Sequence, residues 1–176
     1  MSRNIPRWQI AGFIFVSALG TFLHFLFDLT GGSVAVAPFS AVNESIWEHL
    51  KLLYFPMVIF ALREYLRWGR AETGFWHIKL MGILTGLILV PALYYTYTGI
   101  FGVNADWLNI TIFFVVAAVV FYLETKLFAG SRRHLPDWIA ILLITVIGIA
   151  FALLTFLPPH IPFFRDPSTG TYGFPA

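Results

Sequence analysis

The sequence predicts an all-α fold, a polytopic bundle of five transmembrane helices, and three observations predict it. Hydrophobic residues make up 59% of the chain and charged residues 11%, with a mean hydropathy of +0.79. The apolar residues gather in five runs, about 8–29, 46–66, 76–99, 107–128 and 137–157. Each is close to the roughly 20 residues a helix needs to cross the hydrocarbon core. Lys and Arg are shared unevenly among the connections, which is how a fixed orientation in a membrane is written.

The first run, preceded by Arg3 and Arg7, carries Thr21, His24 and Asp28. It lacks a small-residue cleavage site of the A-x-A type, so it reads as a retained span and not a signal peptide. The connection Thr30–Ser45 has no Lys or Arg, whereas Arg63, Arg67 and Arg70 surround the next one. In the third run Gly82, Gly86 and Ala92 permit close helix packing. That run closes on Tyr94-Tyr95-Thr96-Tyr97-Thr98-Gly99, an aromatic stretch suited to a membrane interface. Phe101–Asp106 again lacks cations, and Asp106 is placed to cap the fourth span. Lys126, Arg132 and Arg133 mark the fourth connection, and His77 and His134 read as interface anchors on the same side. The positive-inside rule puts the N-terminus in the cytoplasm and, after five spans, the C-terminus outside. Residues 158–176 are too rich in Pro and Gly for a helix and are expected to lie as an irregular tail over the outer mouth. With no internal repeat and no linker, residues 1–176 read as one transmembrane domain.

The composition excludes several functions. There is no cysteine, so disulfides, thiolate metal sites, iron–sulfur clusters and Cys nucleophiles are ruled out. The net charge of +2 comes from cations flanking the spans, so it reports topology and gives no reason to expect nucleic-acid binding. Membrane lipids are the expected surroundings, and a homo-oligomer is compatible with the chain.

Acids and histidines at membrane depth need a reason, because an acid at a helix centre costs about 2.5–3.5 kcal/mol. His24 and Asp28 are one turn apart near the end of the first span. Asn43-Glu44-Ser45-Ile46-Trp47-Glu48-His49-Leu50-Lys51 opens the second. Imidazole and carboxylate together suit zinc, with manganese and iron as alternatives, and a catalytic centre wants three protein ligands and an open position. His24, Asp28, His49 and His160 are the candidate ligands. Glu44, Glu48 and Ser45 are candidates for the catalytic chemistry, a carboxylate serving as general base. Asn43, Lys51, Tyr95, Tyr97, Arg165 and Asp166 are candidates for substrate contact. Structural readings stand beside these. Ser45-x-x-Glu48 is also a capping box with Asn43 as an alternative cap, Glu48 and Lys51 could be an ion pair, and a lone His24 could bond a neighbouring helix.

His24-Phe-Leu-Phe-Asp28, the string from Ala37 to Lys51, Tyr95-Thr-Tyr-Thr-Gly-Ile100 and the Pro158-Pro-His-Ile-Pro tail together resemble DUF6512, a family of small bacterial integral membrane proteins of unknown function. The resemblance implies a prokaryotic plasma-membrane protein and no particular activity. Ser45-x-x-x-His49 is also similar to one element of the intramembrane metal-dependent hydrolases that include alkaline ceramidases and adiponectin receptors. The span number, the order of motifs and the missing His-x-x-x-His all differ. The favoured reading is a metal-dependent hydrolase or transferase acting on a lipid or envelope substrate at an outward-facing site. A transporter of a small solute, ion or proton, and a non-catalytic assembly subunit, remain open alternatives.

Overall fold

In the computed structural model, which describes residues 4–130 and 134–175, five long helices follow one another. They are α1 (Ile5–Leu29), α2 (Ile46–Arg67), α3 (Phe75–Phe101), α4 (Asp106–Ala129) and α5 (Asp137–Phe156). The bounds lie within three residues of the apolar runs. Arg3, Arg132 and Arg133, used above for sidedness, lie outside the described residues.

Local chemistry sets the ends. Pro6 opens α1, where its missing N–H costs nothing. Gly31 and Gly32, at φ +66 and +77, close it by donating to Asp28 O and Phe27 O. Gly102, at φ +67, closes α3 in the same left-handed conformation. Asp106 is the first residue of α4 and caps nothing through its side chain. It still suits the positive end of the helix dipole. The loop before it is held instead by Tyr97, whose hydroxyl donates to Asn109 Oδ1 at 2.5 Å and receives Ala105 N–H.

Helices α1 to α4 close a ring in which each packs on the next and α4 returns to α1, while α5 lies across α2 and α3. Four helices, α1, α3, α4 and α5, are long and apolar enough to cross a membrane. The fifth, α2, has the length but not the composition, because it carries Glu48, Lys51 and Glu64. It is the most enclosed helix, with twelve of its 22 residues buried, those three charges included. Polar residues are affordable there because the other helices, not lipid, surround them. Large apolar side chains such as Ile10, Phe22, Ile88, Ile110 and Val146 are exposed on the outside, the arrangement expected of a surface that faces hydrocarbon.

Small residues bring the helices close. A Cβ on Gly20 would stand 2.5 Å from the carbonyl oxygen of Leu52, so α1 and α2 touch backbone to side there. Gly82 and Gly86 are buried against Glu124 and Leu53. Ala92 is exposed and takes no part in such a contact.

Candidate metal centre at the end of α1 and α2

Gly20 lies one turn before His24 on α1, and Leu52 lies just under one turn after His49 on α2. The close approach of the helices at Gly20 therefore also brings the two imidazoles together, with ring centroids 5.3 Å apart. Glu44, in the connection just ahead of α2, reaches between them. Its Oε2 is 3.3 Å from His49 Nε2 and its Oε1 is 4.0 Å from His24 Nε2. One ligand atom from each residue falls within 4.8 Å of the others, a group that could hold a metal ion. An ion bonded at about 2.0–2.1 Å to tetrahedral ligands keeps them about 3.3–3.4 Å apart. The His49–Glu44 separation already fits, and His24 needs an inward shift of under about 1.5 Å.

The hydrogen bonds around the group define what it can do. His49 Nδ1 lies 2.9 Å from the carbonyl oxygen of Ser45. A carbonyl only accepts, so Nδ1 carries a proton and Nε2 faces Glu44. With acceptors at both nitrogens, the ring is either an imidazolium paired with Glu44 or a neutral ligand sharing a cation with it. The His49 hydrogen bond holds the Glu44 carboxyl below its ordinary range, against the opposing effect of burial. His24 Nδ1 is buried without a partner among the described residues, and its ring meets Phe25 edge-on at 4.9 Å. Phe25, Phe22 and Leu29 are exposed on α1 around it.

The other residues nominated by the sequence are placed differently. Glu48 is not beside the imidazoles as a base. It is 1% exposed and bound 2.5 Å from Lys51 Nζ. Lys51 also donates to Ala37 O and Thr155 Oγ1, both at 2.8 Å, and Thr155 reaches Glu48 Oε1 at 3.2 Å. Lys51 is 0% exposed, which leaves it no access to a substrate. The capping box forms by half. Ser45 Oγ accepts Glu48 N–H at 3.4 Å, but Glu48 returns to Val42 N–H and Ser45 N–H goes to Asn43 Oδ1. Asp28 is exposed one turn beyond His24 and contributes no atom to the group. His160 stacks on Tyr172 at 4.7 Å instead. Tyr95 is exposed, and Tyr97 is committed to Asn104 and Asn109.

The tail packs onto this end of the bundle. Asn43 Nδ2 donates to Gly173 O, Phe174 N–H donates to Thr155 O, and Trp47 lies against Phe151 and Phe164. Asp166 accepts from Ser168 N–H, Thr169 N–H and, through Oδ2, Glu44 N–H at 3.3 Å. Burial works to raise its pKa, but these N–H donors prevail and hold the carboxyl below the ordinary range. Asn43 and Asp166 therefore position the segment that carries Glu44, while Arg165 stays exposed.

One polar group was absent from the sequence reading altogether. At the opposite end, the ring of four helices encloses Gln9 from α1, Glu64 from α2, Lys79 from α3 and Glu124 from α4, none more than 2% exposed. Lys79 Nζ pairs with Glu64 Oε2 and, at 2.5 Å, with Glu124 Oε2, and Gln9 Nε2 donates to Glu64 Oε1 at 3.0 Å. A sequence signal existed: each of these four helices carries one of the group within about two turns of the same end. Their nearness to Arg63, Arg67 and Lys126 makes them look like interface residues.

No curated protein and no solved structure matches the chain significantly, so the likeness to alkaline ceramidases finds no support. A family model does match, across residues 1–174, and its description is a family of unknown function, DUF6512. With nearly the whole length matched, the chain belongs to the DUF6512 family.

Proposed function

We propose that His24, Glu44 and His49 hold one divalent cation, zinc in preference to manganese or iron, for hydrolysis or group transfer on a lipid or envelope substrate. The observation that carries the reading is the convergence of three ligand atoms, two from helices and one from the loop between them, within 4.8 Å. Two imidazoles and one carboxylate leave a coordination position open, the donor set of catalytic zinc and of non-haem iron centres. The Ser45 carbonyl on His49 Nδ1 is the kind of outer partner that fixes a ligating histidine. A cation there would make bound water a nucleophile near neutral pH. Asp28, exposed beyond His24, is the carboxylate free to take its proton, and Arg165, next to the residue that anchors Glu44, suits an anionic head group.

The exposed Phe22, Phe25 and Leu29 support access from the bilayer. Arg7, Arg63, Arg67, Arg70 and Lys126 cluster at the other end and favour a cytoplasmic N-terminus with the metal centre outside, in the plasma membrane of a prokaryote. A second reading, transport of an ion or small solute, is favoured by one observation: the Gln9–Glu64–Lys79–Glu124 group puts polar residues in the half of the bundle that a pathway would also need.

Elemental analysis of the detergent-purified chain by inductively coupled plasma mass spectrometry tests the metal centre. The expected result is about one metal per chain, lost in His24→Ala and in His49→Ala. Wild-type protein that stays metal-free after incubation with zinc and with manganese would sink the proposal.

A further inference from the structure

The buried group at the N-terminal end is unbalanced. Glu64 and Glu124 are both 0% exposed and share the single ammonium of Lys79. The rings of Phe75, Phe121 and Phe128 lie 5.6–5.9 Å from Lys79 Nζ. Their π-faces stabilise the cation and keep Lys79 charged. Two ionised carboxylates would then leave one negative charge with no counter-charge in a site lined by helices and surrounded by lipid, where an unpaired charge is strongly disfavoured. Among the described residues, Glu64 and Glu124 are the carboxylates that contact Lys79. From α1 the neighbouring contribution is the Gln9 amide, and Arg7 and Arg63 line a groove on the outside, beside Trp8 and Phe60.

A second observation shows what is missing. Among the described residues Gln9 Oε1 and Glu124 Oε1 are buried oxygens without a hydrogen-bond partner, and both are acceptors. None of the hydrogen bonds within the group reaches these two oxygens. By contrast, the Glu48–Lys51 pair elsewhere on α2 is balanced one to one, and Lys51 reaches three acceptors.

We propose that Glu64, Lys79 and Glu124 form a buried proton-binding site, in which the two carboxylates hold one proton between them beside the charged lysine. Binding forms one carboxyl O–H bond with a proton taken from water and brings the net charge of the site from −1 to zero. It also adds an O–H donor to a group that holds buried oxygens without a partner. Release reverses both, so occupancy of the site is coupled to the pH on the side of the membrane that reaches it. Gly82 keeps the space for this carboxyl: a Cβ there would stand 2.4 Å from Glu124 Oε1.

Infrared spectroscopy of the full chain in lipid nanodiscs tests the site through the C=O stretch of a protonated carboxyl group. At neutral pH the wild type is expected to show this band, shifted in heavy water. Glu124→Gln and Glu64→Gln should each lose it, since each leaves a one-to-one pair with Lys79. Lys79→Met should roughly double it, both acids then being neutral. Absence of the band in the wild type would overturn the proposal, and so would a band that survives both glutamine variants.

Discussion

The two ends of the same helices carry the same chemistry in opposite settings. At one end His24 and Glu44 have side chains 30% and 53% exposed, and the ligand atoms face one another across a gap. At the other, Lys79, Glu64 and Glu124 are at most 3% exposed and in direct contact. Access sets what each can do. A half-exposed gap of ligand atoms stays within reach of solvent, whereas a sealed group can exchange nothing larger than a proton or a water molecule. Access also sets what each contributes to stability, because removing a partner from a sealed charge leaves the remainder unsolvated, and removing one at an open rim does not.

Lys79→Met should show that contrast most strongly. It strips Glu64 and Glu124 of their cation and drives both to the neutral form, at an expected loss of about 3–5 kcal/mol, read as a lower unfolding midpoint in denaturing detergent. His24→Ala should stay within about 0.5 kcal/mol of the metal-free wild type in the same assay. Equal losses in the two variants would erase the distinction between a structural end and a working end. Next in size is Gly20→Leu, which forces α1 away from the Leu52 carbonyl of α2. Overpacking of this kind costs about 1–3 kcal/mol, and it should abolish metal retention by separating His24 from His49 while leaving the infrared band of the sealed group in place. Retained metal in that variant would show that the helix approach at Gly20 does not position the centre. The smallest effect belongs to Asp166→Asn, at about 1 kcal/mol near neutral pH. The folded-state pKa of Asp166 is lowered, so its contribution is present above the ordinary carboxylate range and is lost as pH falls through the folded value. The variant and the wild type should therefore converge in acid, and a difference that persists there would contradict the role of the ionised carboxylate in docking the tail.

The spans were legible because their ends are written in composition, with Pro, Gly and cations bracketing each apolar run. Half of the candidate metal centre was legible too: His24 and His49 stand out as imidazoles inside apolar helices. Glu44 and Glu48 were harder to separate, being four residues apart in the same motif with the same side chain. Their roles diverge because Glu48 lies past the N-cap, on the face of α2 that turns into the bundle beside Lys51 and Thr155, while Glu44 lies before it. Lys51, nominated for substrate contact, is buried on that same inward face.

By itself the sequence determined an all-helical membrane protein with five helices, their limits, the absence of thiol chemistry and the end at which histidines and acids gather. These follow from residue type and run length, which act locally. Only the tertiary structure decided which way each helix turns. The spans are apolar almost all round, so periodicity gives them no preferred face, and their rotation is settled by contacts such as Gly20 on Leu52 and Gly82 on Glu124. That rotation selected Glu44 over Asp28 and His160 beside the two imidazoles, and it gathered Gln9, Glu64, Lys79 and Glu124 from four helices into one site, because an unpaired charge in lipid is the costlier alternative.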